Sequence, residues 1–297
     1  MPKTIPEEEL VSPGHKACQG CASILALRHA LKALGPKTIV VVPACCMTVI
    51  EGEFPLTSMR VPLLHTAFEA AASTAAGISA GLRLKGDNET VVMTWAGDGG
   101  TFDIGLQALS GAAEREDDLI YVCYDNEAYM NTGVQRSSAT PHGAATTTTP
   151  ASSYKRGRKK GIMEILVAHH VHYAATATVA YIEDLHAKFR KAKEATGTRF
   201  MHILSPCPPG WKFPSRKTIA LSRLAVRSHV FPLYEVEEGR YHVRKVNKPI
   251  DISEYLRAQG RFKHLDGDEI ANIRANVEND WQMLLAKEKW SEKHSFI

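Results

Sequence analysis

Residues 38–42, 90–95, 119–124, 174–179 and 200–204 are short runs of β-branched, aromatic or small apolar side chains with no charged face. A strand that is apolar on both faces must be covered on both, which a sheet flanked by helices on each side provides. Between the runs lie segments with apolar residues at helical spacing. Residues 23–34 carry Ile24, Leu27, Leu31 and Leu34 and stop at Gly35-Pro36, and helices are also expected at the alanine-rich 68–84, at 104–113, at 162–170 and at 182–196. Helix-length connections join parallel strands, so the alternation predicts an α/β fold with a doubly wound parallel sheet.

A length of 297 residues fits one large domain or two closely joined ones. The composition changes beyond Pro206, where a hairpin is expected over 230–246 around Glu238-Gly239, followed by polar helices. The expected division is a domain at 1–205 and a C-terminal hairpin and helical extension at 206–297 that makes partner contacts. A formal charge of +4 is too small to argue for nucleic acid. No apolar run reaches the ~20 residues of a membrane span, and the charged, proline-containing start is unlike a signal peptide. The expected location is therefore the reducing cytoplasm, where the six cysteines are thiols or metal ligands.

The second strand runs into Ala96-Gly97-Asp98-Gly99-Gly100-Thr101, which puts a carboxylate and free helix-start amides at the carboxyl edge of the sheet, where ligands bind. Asn126 follows Asp98 by 28 residues, the length of a helix plus a strand, so the two side chains reach neighbouring strand ends and can share a magnesium ion that bridges a diphosphate. Thr101 is read as a helix cap that touches phosphate. Asp125 and Glu127 are read as solvated or helix-start residues without a catalytic part.

Cys18-Gln19-Gly20-Cys21 is a C-x-x-C pair, Cys45-Cys46 follows the first strand, and Cys207 follows the last. Alone, such a pair suits a redox dithiol, half a zinc site or half an iron–sulfur site. Cysteines after parallel strands can converge with it, because those strand ends share one edge. Cys123 lies within a strand and is read as a small core side chain.

The Gly-Asp-Gly with its distant Asn resembles the thiamine-diphosphate motif. Asp125-Asn126-Glu127-Ala128-Tyr129-Met130-Asn131-Thr132-Gly133 is similar to the version in 2-oxoacid:ferredoxin oxidoreductases. Gly14-His15-Lys16-Ala17-Cys18-Gln19-Gly20-Cys21, the Pro206-Cys207-Pro208-Pro209-Gly210-Trp211 segment, the stretch Gln135 to Pro141 and Gly260-Arg261-Phe262-Lys263-His264 extend the resemblance to the β subunits of the pyruvate-type enzymes over nearly the whole chain. It implies a thiamine-diphosphate-binding fold. It implies Mg²⁺ on Asp98, Asn126 and the main-chain carbonyl of Ala128, with Asn131 approaching the thiazolium and the substrate, and the cofactor cradled by Gly97, Asp98, Gly99, Gly100 and Thr101. It implies a [4Fe–4S] cluster on Cys18, Cys21, Cys46 and Cys207.

The implied reaction is oxidative decarboxylation of a 2-oxoacid, pyruvate by default, to acyl-CoA and CO₂, with coenzyme A as co-substrate and electrons passed to ferredoxin or another acceptor. Phenylglyoxylate, branched-chain 2-oxoacids and oxalate are alternative substrates. The catalytic Glu is implied on an α subunit that supplies the aminopyrimidine domain, with γ and ferredoxin-like δ subunits completing the electron relay; Glu69 is read as a local charge partner. Two departures stand out: Ala44-Cys45-Cys46 replaces the usual Thr-Gly-Cys, leaving Cys45 as a competing ligand, and Ala22 stands where glycine is common. Cys45, Met47 and His142 keep a non-pyruvate substrate open. The basic run Lys155 to Lys160 has three readings: a site for coenzyme A phosphates, a partner contact, or a solvated face. A zinc-stabilised structural subunit and a non-redox thiamine decarboxylase are the competing classes.

Overall fold

The computed structural model describes residues 5–294. Helix α1 (Ala22–Leu34) leads into strand β1 (Thr38–Pro43), the short α2 (Cys46–Ile50), β2 (Leu63–Thr66), α3 (Ala71–Leu84) and β3 (Val91–Gly97). A π-helical turn over Gly99–Ile104 passes into α4 (Leu106–Glu114), followed by β4 (Leu119–Asp125), α5 (Ile162–Val167), β5 (Tyr173–Thr178), α6 (Ile182–Glu194) and β6 (Thr198–Leu204). The rest comprises α7 (Pro208–Trp211), α8 (Thr218–Arg227), β7 (Tyr234–Glu237), β8 (Arg240–Val243), α9 (Ile252–Arg257) and α10 (Gly267–Ser291).

The described strands form one sheet in the order β2-β1-β3-β4-β6-β5-β7-β8, parallel from β2 through β5 and antiparallel at β7 and β8. Every residue of β3, β4, β5 and β6 is buried, as their apolar runs require. Residues of α1, α2 and α6 pack one face of the sheet (Leu27, Leu31, Met47, Phe189), and those of α3, α4, α5 and α10 pack the other (Ala72, Leu109, Leu166, Trp281). A third apolar cluster lies under the C-terminal segment, where Trp211, Phe213, Leu221, Tyr255 and Phe262 meet Leu204.

The expected hairpin is present, its turn made by Glu238 and Gly239 with φ of 48° and 75°, a left-handed pair that glycine accepts readily. It continues the main sheet through β5. The outer edge of β8 is occupied by α10: the Tyr241 amide donates to Ser291 Oγ at 3.0 Å and the Val243 amide to Glu288 Oε1 at 2.6 Å. Covering the edge in this way blocks strand addition. Strand β2 was not expected from the sequence; it is four residues long and half exposed, so it has neither a buried run nor a clear alternation.

On the first face His29 Nδ1 and His186 Nε2 stand 3.1 Å apart between α1 and α6. Burial pushes both imidazoles down, His186 from 6.5 to about 4. A base whose native pKa lies below its unfolded value binds fewer protons when folded. Its contribution is complete above the unfolded value of 6.5 and is lost as pH falls toward 4. Between pH 7 and 5 the chain should lose about 2 kcal/mol through His186 alone. Urea midpoints measured across that range should fall for the native chain and stay flatter for His186→Phe.

Candidate cofactor site

A cavity of about 210 Å³ opens at the carboxyl ends of β1, β3 and β4, lined by Gly97, Asp98, Gly99, Gly100, Asn126, Ala128 and Asn131 together with Cys45 and Cys46. The sequence expected a glycine turn at 97–100, but β3 runs through Gly97 and passes directly into helical backbone at Asp98. The π turn is closed by the Gly105 amide donating to the Gly100 carbonyl at 2.9 Å; such turns recur at functional sites. A Cβ on Gly99 would stand 2.3 Å from the Tyr129 ring, so only glycine lets that ring close the cavity wall. Tyr129 is itself fixed by its hydroxyl donating to Asp103 Oδ2 at 2.6 Å.

Asp98 is 1% exposed and accepts a hydrogen bond from the Ser137 hydroxyl at 2.5 Å on Oδ2. Its other oxygen meets one terminal atom of the Asn126 amide at 2.9 Å, and the same amide atom lies 2.9 Å from the Ala128 carbonyl oxygen. With the amide nitrogen there, both contacts are hydrogen bonds. With the amide oxygen there, three oxygens surround one point, the donor set a hard cation takes. Burial and the charge of Asp125 push the Asp98 carboxyl up in the absence of a cation, while Ser137 and Lys159 oppose the shift.

Thr101 does not line the cavity: it is fully buried, its hydroxyl donating to the Gly97 carbonyl at 2.8 Å. Asn131 is exposed on the rim. Glu69 sits exposed in the turn before α3 and forms no ion pair among the described residues.

Asp125 and Glu127 are not solvated; they are 0% and 3% exposed. Lys159 Nζ stands 2.5 Å from Asp125 Oδ2 and 2.8 Å from Glu127 Oε1, Arg261 pairs with Glu127 Oε2 at 2.5 Å, and His202 Nε2 meets Asp125 Oδ2 at 2.7 Å. Burial opposes ionisation of Asp125, but Lys159 and His202 hold its carboxyl below the usual range. Arg261 also lies over the Trp211 ring, 3.8 Å from its centroid, and the Trp211 indole N–H donates to the Asn126 carbonyl at 2.7 Å. The oxygen-bearing turn is thus braced by the segment that follows Cys207.

The basic run is divided: its lysines are folded into the chain, while Arg156 and Arg158 are exposed and ion-paired. Lys155 is buried and donates to the carbonyls of Ser138 and Thr140, Arg156 pairs with Glu269, Arg158 with Asp280, and Lys160 donates to the Phe102 carbonyl. His142 clamps Arg156 and Glu269, and Met47 is fully buried, so of the three residues that kept a non-pyruvate substrate open only Cys45 lines the cavity.

Six free cysteines are present, Cys123 buried and the rest at or near the surface. Burial raises the Cys46 thiol, and charges on Cys45, Cys207 and Cys21 raise it further; Cys207 is pushed up to about 12 by burial, with contributions from Cys21 and Cys18. Cys46 thus feels Cys45, Cys207 and Cys21, and Cys207 feels Cys21 and Cys18. Cys45 is turned elsewhere: it caps α2 reciprocally with Thr48, whose Oγ1 accepts from the Cys45 amide at 3.2 Å, and its thiol hydrogen-bonds with Tyr124. Among the described residues no three His, Cys, Asp or Glu side chains are gathered closely enough to hold a single metal ion. No described helix is long and apolar enough to cross a membrane.

Ser137, Tyr124, Tyr129 and Phe68 join the site without having been singled out from the sequence. Ser137 lies in the Gln135 to Pro141 stretch, and that resemblance was the one signal pointing to it.

Residues 45–203 match the family model of the thiamine pyrophosphate enzyme C-terminal TPP-binding domain. The chain is 48% identical to the ketoisovalerate oxidoreductase subunit VorB of Pyrococcus horikoshii, covering 95% of this chain and 94% of the relative. It is 48% identical to the pyruvate synthase subunit PorB of Methanothermobacter thermautotrophicus, covering 94% and 99%. A solved 2-oxoglutarate:ferredoxin oxidoreductase from Magnetococcus marinus shares the fold, with a TM-score of 0.59 at 20% identity over 75% of this chain and 81% of that one. With a glycine-lined cavity at the carboxyl edge of its sheet and these relatives along almost its full length, the chain belongs to the thiamine-pyrophosphate-binding β-subunit family of the 2-oxoacid:ferredoxin oxidoreductases.

Proposed function

We propose that this subunit binds Mg²⁺–thiamine diphosphate in the 210 Å³ cavity and a [4Fe–4S] cluster on Cys18, Cys21, Cys46 and Cys207, and oxidatively decarboxylates a 2-oxoacid to its acyl-CoA. The observation that carries the reading is the meeting of two donor sets at one cavity: the oxygens of Asp98, Asn126 and Ala128, and the α2 cysteines. The oxygens suit a hard cation. Cysteine thiolates suit a cluster, in which each binds a different iron, and tetrahedral zinc is the competing reading. When bound, thiamine diphosphate supplies the electron sink for decarboxylation and the cluster a one-electron acceptor beside it.

This chain's residues position and shield. Asp98 and Asn126 orient the cation, Ser137 fixes the Asp98 carboxylate, and Tyr129 and Phe68 wall the cavity from solvent. Asn131 on the rim faces the substrate side. Among the described residues lining the cavity the one carboxylate is Asp98, and the family resemblance assigns the catalytic Glu to an α subunit. The γ and ferredoxin-like δ subunits and ferredoxin complete the electron path.

Pyruvate is the first substrate; the VorB relatives give a branched-chain 2-oxoacid as the second reading. Anaerobic co-purification of the native complex, metal analysis and assay of a 2-oxoacid panel with and without coenzyme A test this. About four irons per β chain, no zinc and coenzyme-A-dependent turnover are expected. A colourless zinc protein overturns the cluster, and turnover indifferent to coenzyme A overturns the acyl transfer.

A further inference from the structure

Met130 touches both halves of the centre. It lines the thiamine cavity beside Cys45 and Cys46, and with Cys207 it packs against the apolar cluster that holds Trp211. Its thioether lies over Gly210: a Cβ there would overlap the Met130 Sδ and Cε and would stand 3.4 Å from the Cys207 sulfur. Glycine at 210 is therefore what lets the side chain close down on the turn that carries Cys207. The same glycine serves that sulfur directly, because its amide is hydrogen-bonded to the Cys207 thiol.

Two contacts thus tie the Cys207 turn to the segment after β4, the Trp211 indole on the Asn126 carbonyl and Met130 on Gly210. They differ in kind. Trp211 does not line the cavity, whereas Met130 does, so the thioether stands between the cavity and the hydrogen-bonded sulfur. Solvent exposure and hydrogen bonds to the cysteine sulfurs set the potential of an iron–sulfur cluster. Reduction adds a negative charge, which water and polar groups stabilise and hydrocarbon does not. A dry apolar wall therefore keeps the potential low.

We propose that Met130 is the partition between the two cofactors, a positioning residue that keeps water of the thiamine cavity from the Cys207 sulfur and so holds the cluster's reduction potential low. The inference rests on the reading of Cys18, Cys21, Cys46 and Cys207 as the ligands of a [4Fe–4S] cluster.

The test is potentiometric titration of the native complex, purified anaerobically and followed by low-temperature electron paramagnetic resonance, with iron counted in every sample. Met130→Gln keeps the length of the side chain and places an amide in the partition. It should favour reduction of the cluster at least ~10-fold, a rise of ~59 mV for one electron. Gly210→Ala, which pushes the thioether aside while Met130 remains, should move the potential in the same direction. Met130→Leu restores hydrocarbon of similar volume and should leave the reduction equilibrium within about twofold of the native one. Met130→Ala, which opens the partition, replaces Met130→Gln if that variant carries less iron than the native chain. A potential that neither the position-130 variant nor Gly210→Ala moves, at full iron content, overturns the proposal and leaves the cluster standing. So does an equal rise in Met130→Leu, which would make the effect one of packing and not of polarity. A native complex without iron overturns the reading of the four cysteines, and this inference with it.

Discussion

Replacing Asp98 with alanine should lower thiamine diphosphate affinity at least ~100-fold at any attainable Mg²⁺ concentration and leave below about 1% of activity in the reconstituted complex. Asp98 is the one ionised group among the three oxygens at the metal point, the others being a side-chain amide and a main-chain carbonyl, so its loss removes the charge as well as a ligand. Ser137→Ala should be milder, about tenfold in cofactor affinity, and partly restored by excess Mg²⁺, because it loosens the carboxylate without removing it. Titration calorimetry with thiamine diphosphate at several Mg²⁺ concentrations separates the two. Stability should move the other way. Asp98 is buried close to the buried Asp125, and without a cation their like charges oppose one another, so the cofactor-free Asp98→Asn chain should melt no lower than the native chain. Loss of binding together with a lower melting temperature would make Asp98 a structural residue instead.

The same turn shows where sequence reasoning reached its limit. The partnership of Asp98 with Asn126 was legible because both sit at ends of neighbouring buried strands, and the length of one helix plus one strand fixes that distance. The roles of Asp125 and Glu127 were not. Both are acidic residues beside a loop, which by composition reads as solvated, and their countercharges come from Lys159 and from Arg261, the latter 134 residues beyond Glu127. No local pattern encodes a pairing at that separation. For the same reason the run Lys155 to Lys160 stayed between a coenzyme A site, a partner contact and a solvated face, whereas three of its cations reach back to main-chain carbonyls and buried carboxylates. The five inner strands were visible because burial on both faces forces an unbroken apolar run; the edge strand β2 escaped notice because burial asks so little of it.

The choice between adjacent cysteines carries the second large effect. Cys46→Ser should reduce iron below the native content, remove the cluster's redox signal and leave below about 1% of ferredoxin-linked turnover. Cys45→Ser should keep full iron and most of the turnover, since serine can still cap α2 and accept from the Thr48 amide. Cys45 is the extended N-cap residue of α2 and Cys46 its first helical residue. The Cys45 thiol bonds with Tyr124 and the helix start, while Cys46 feels the charges of Cys21 and Cys207. Iron analysis and low-temperature electron paramagnetic resonance of both variants, purified anaerobically in the native complex, read the outcome directly. If Cys45→Ser loses the iron and Cys46→Ser retains it, the ligand assignment is reversed; if neither loses iron, the cluster does not draw on this segment. Because Cys45 also lines the thiamine cavity, Cys45→Ser has a second readout: unchanged iron with altered preference between pyruvate and a branched-chain 2-oxoacid would make its side chain part of the substrate wall.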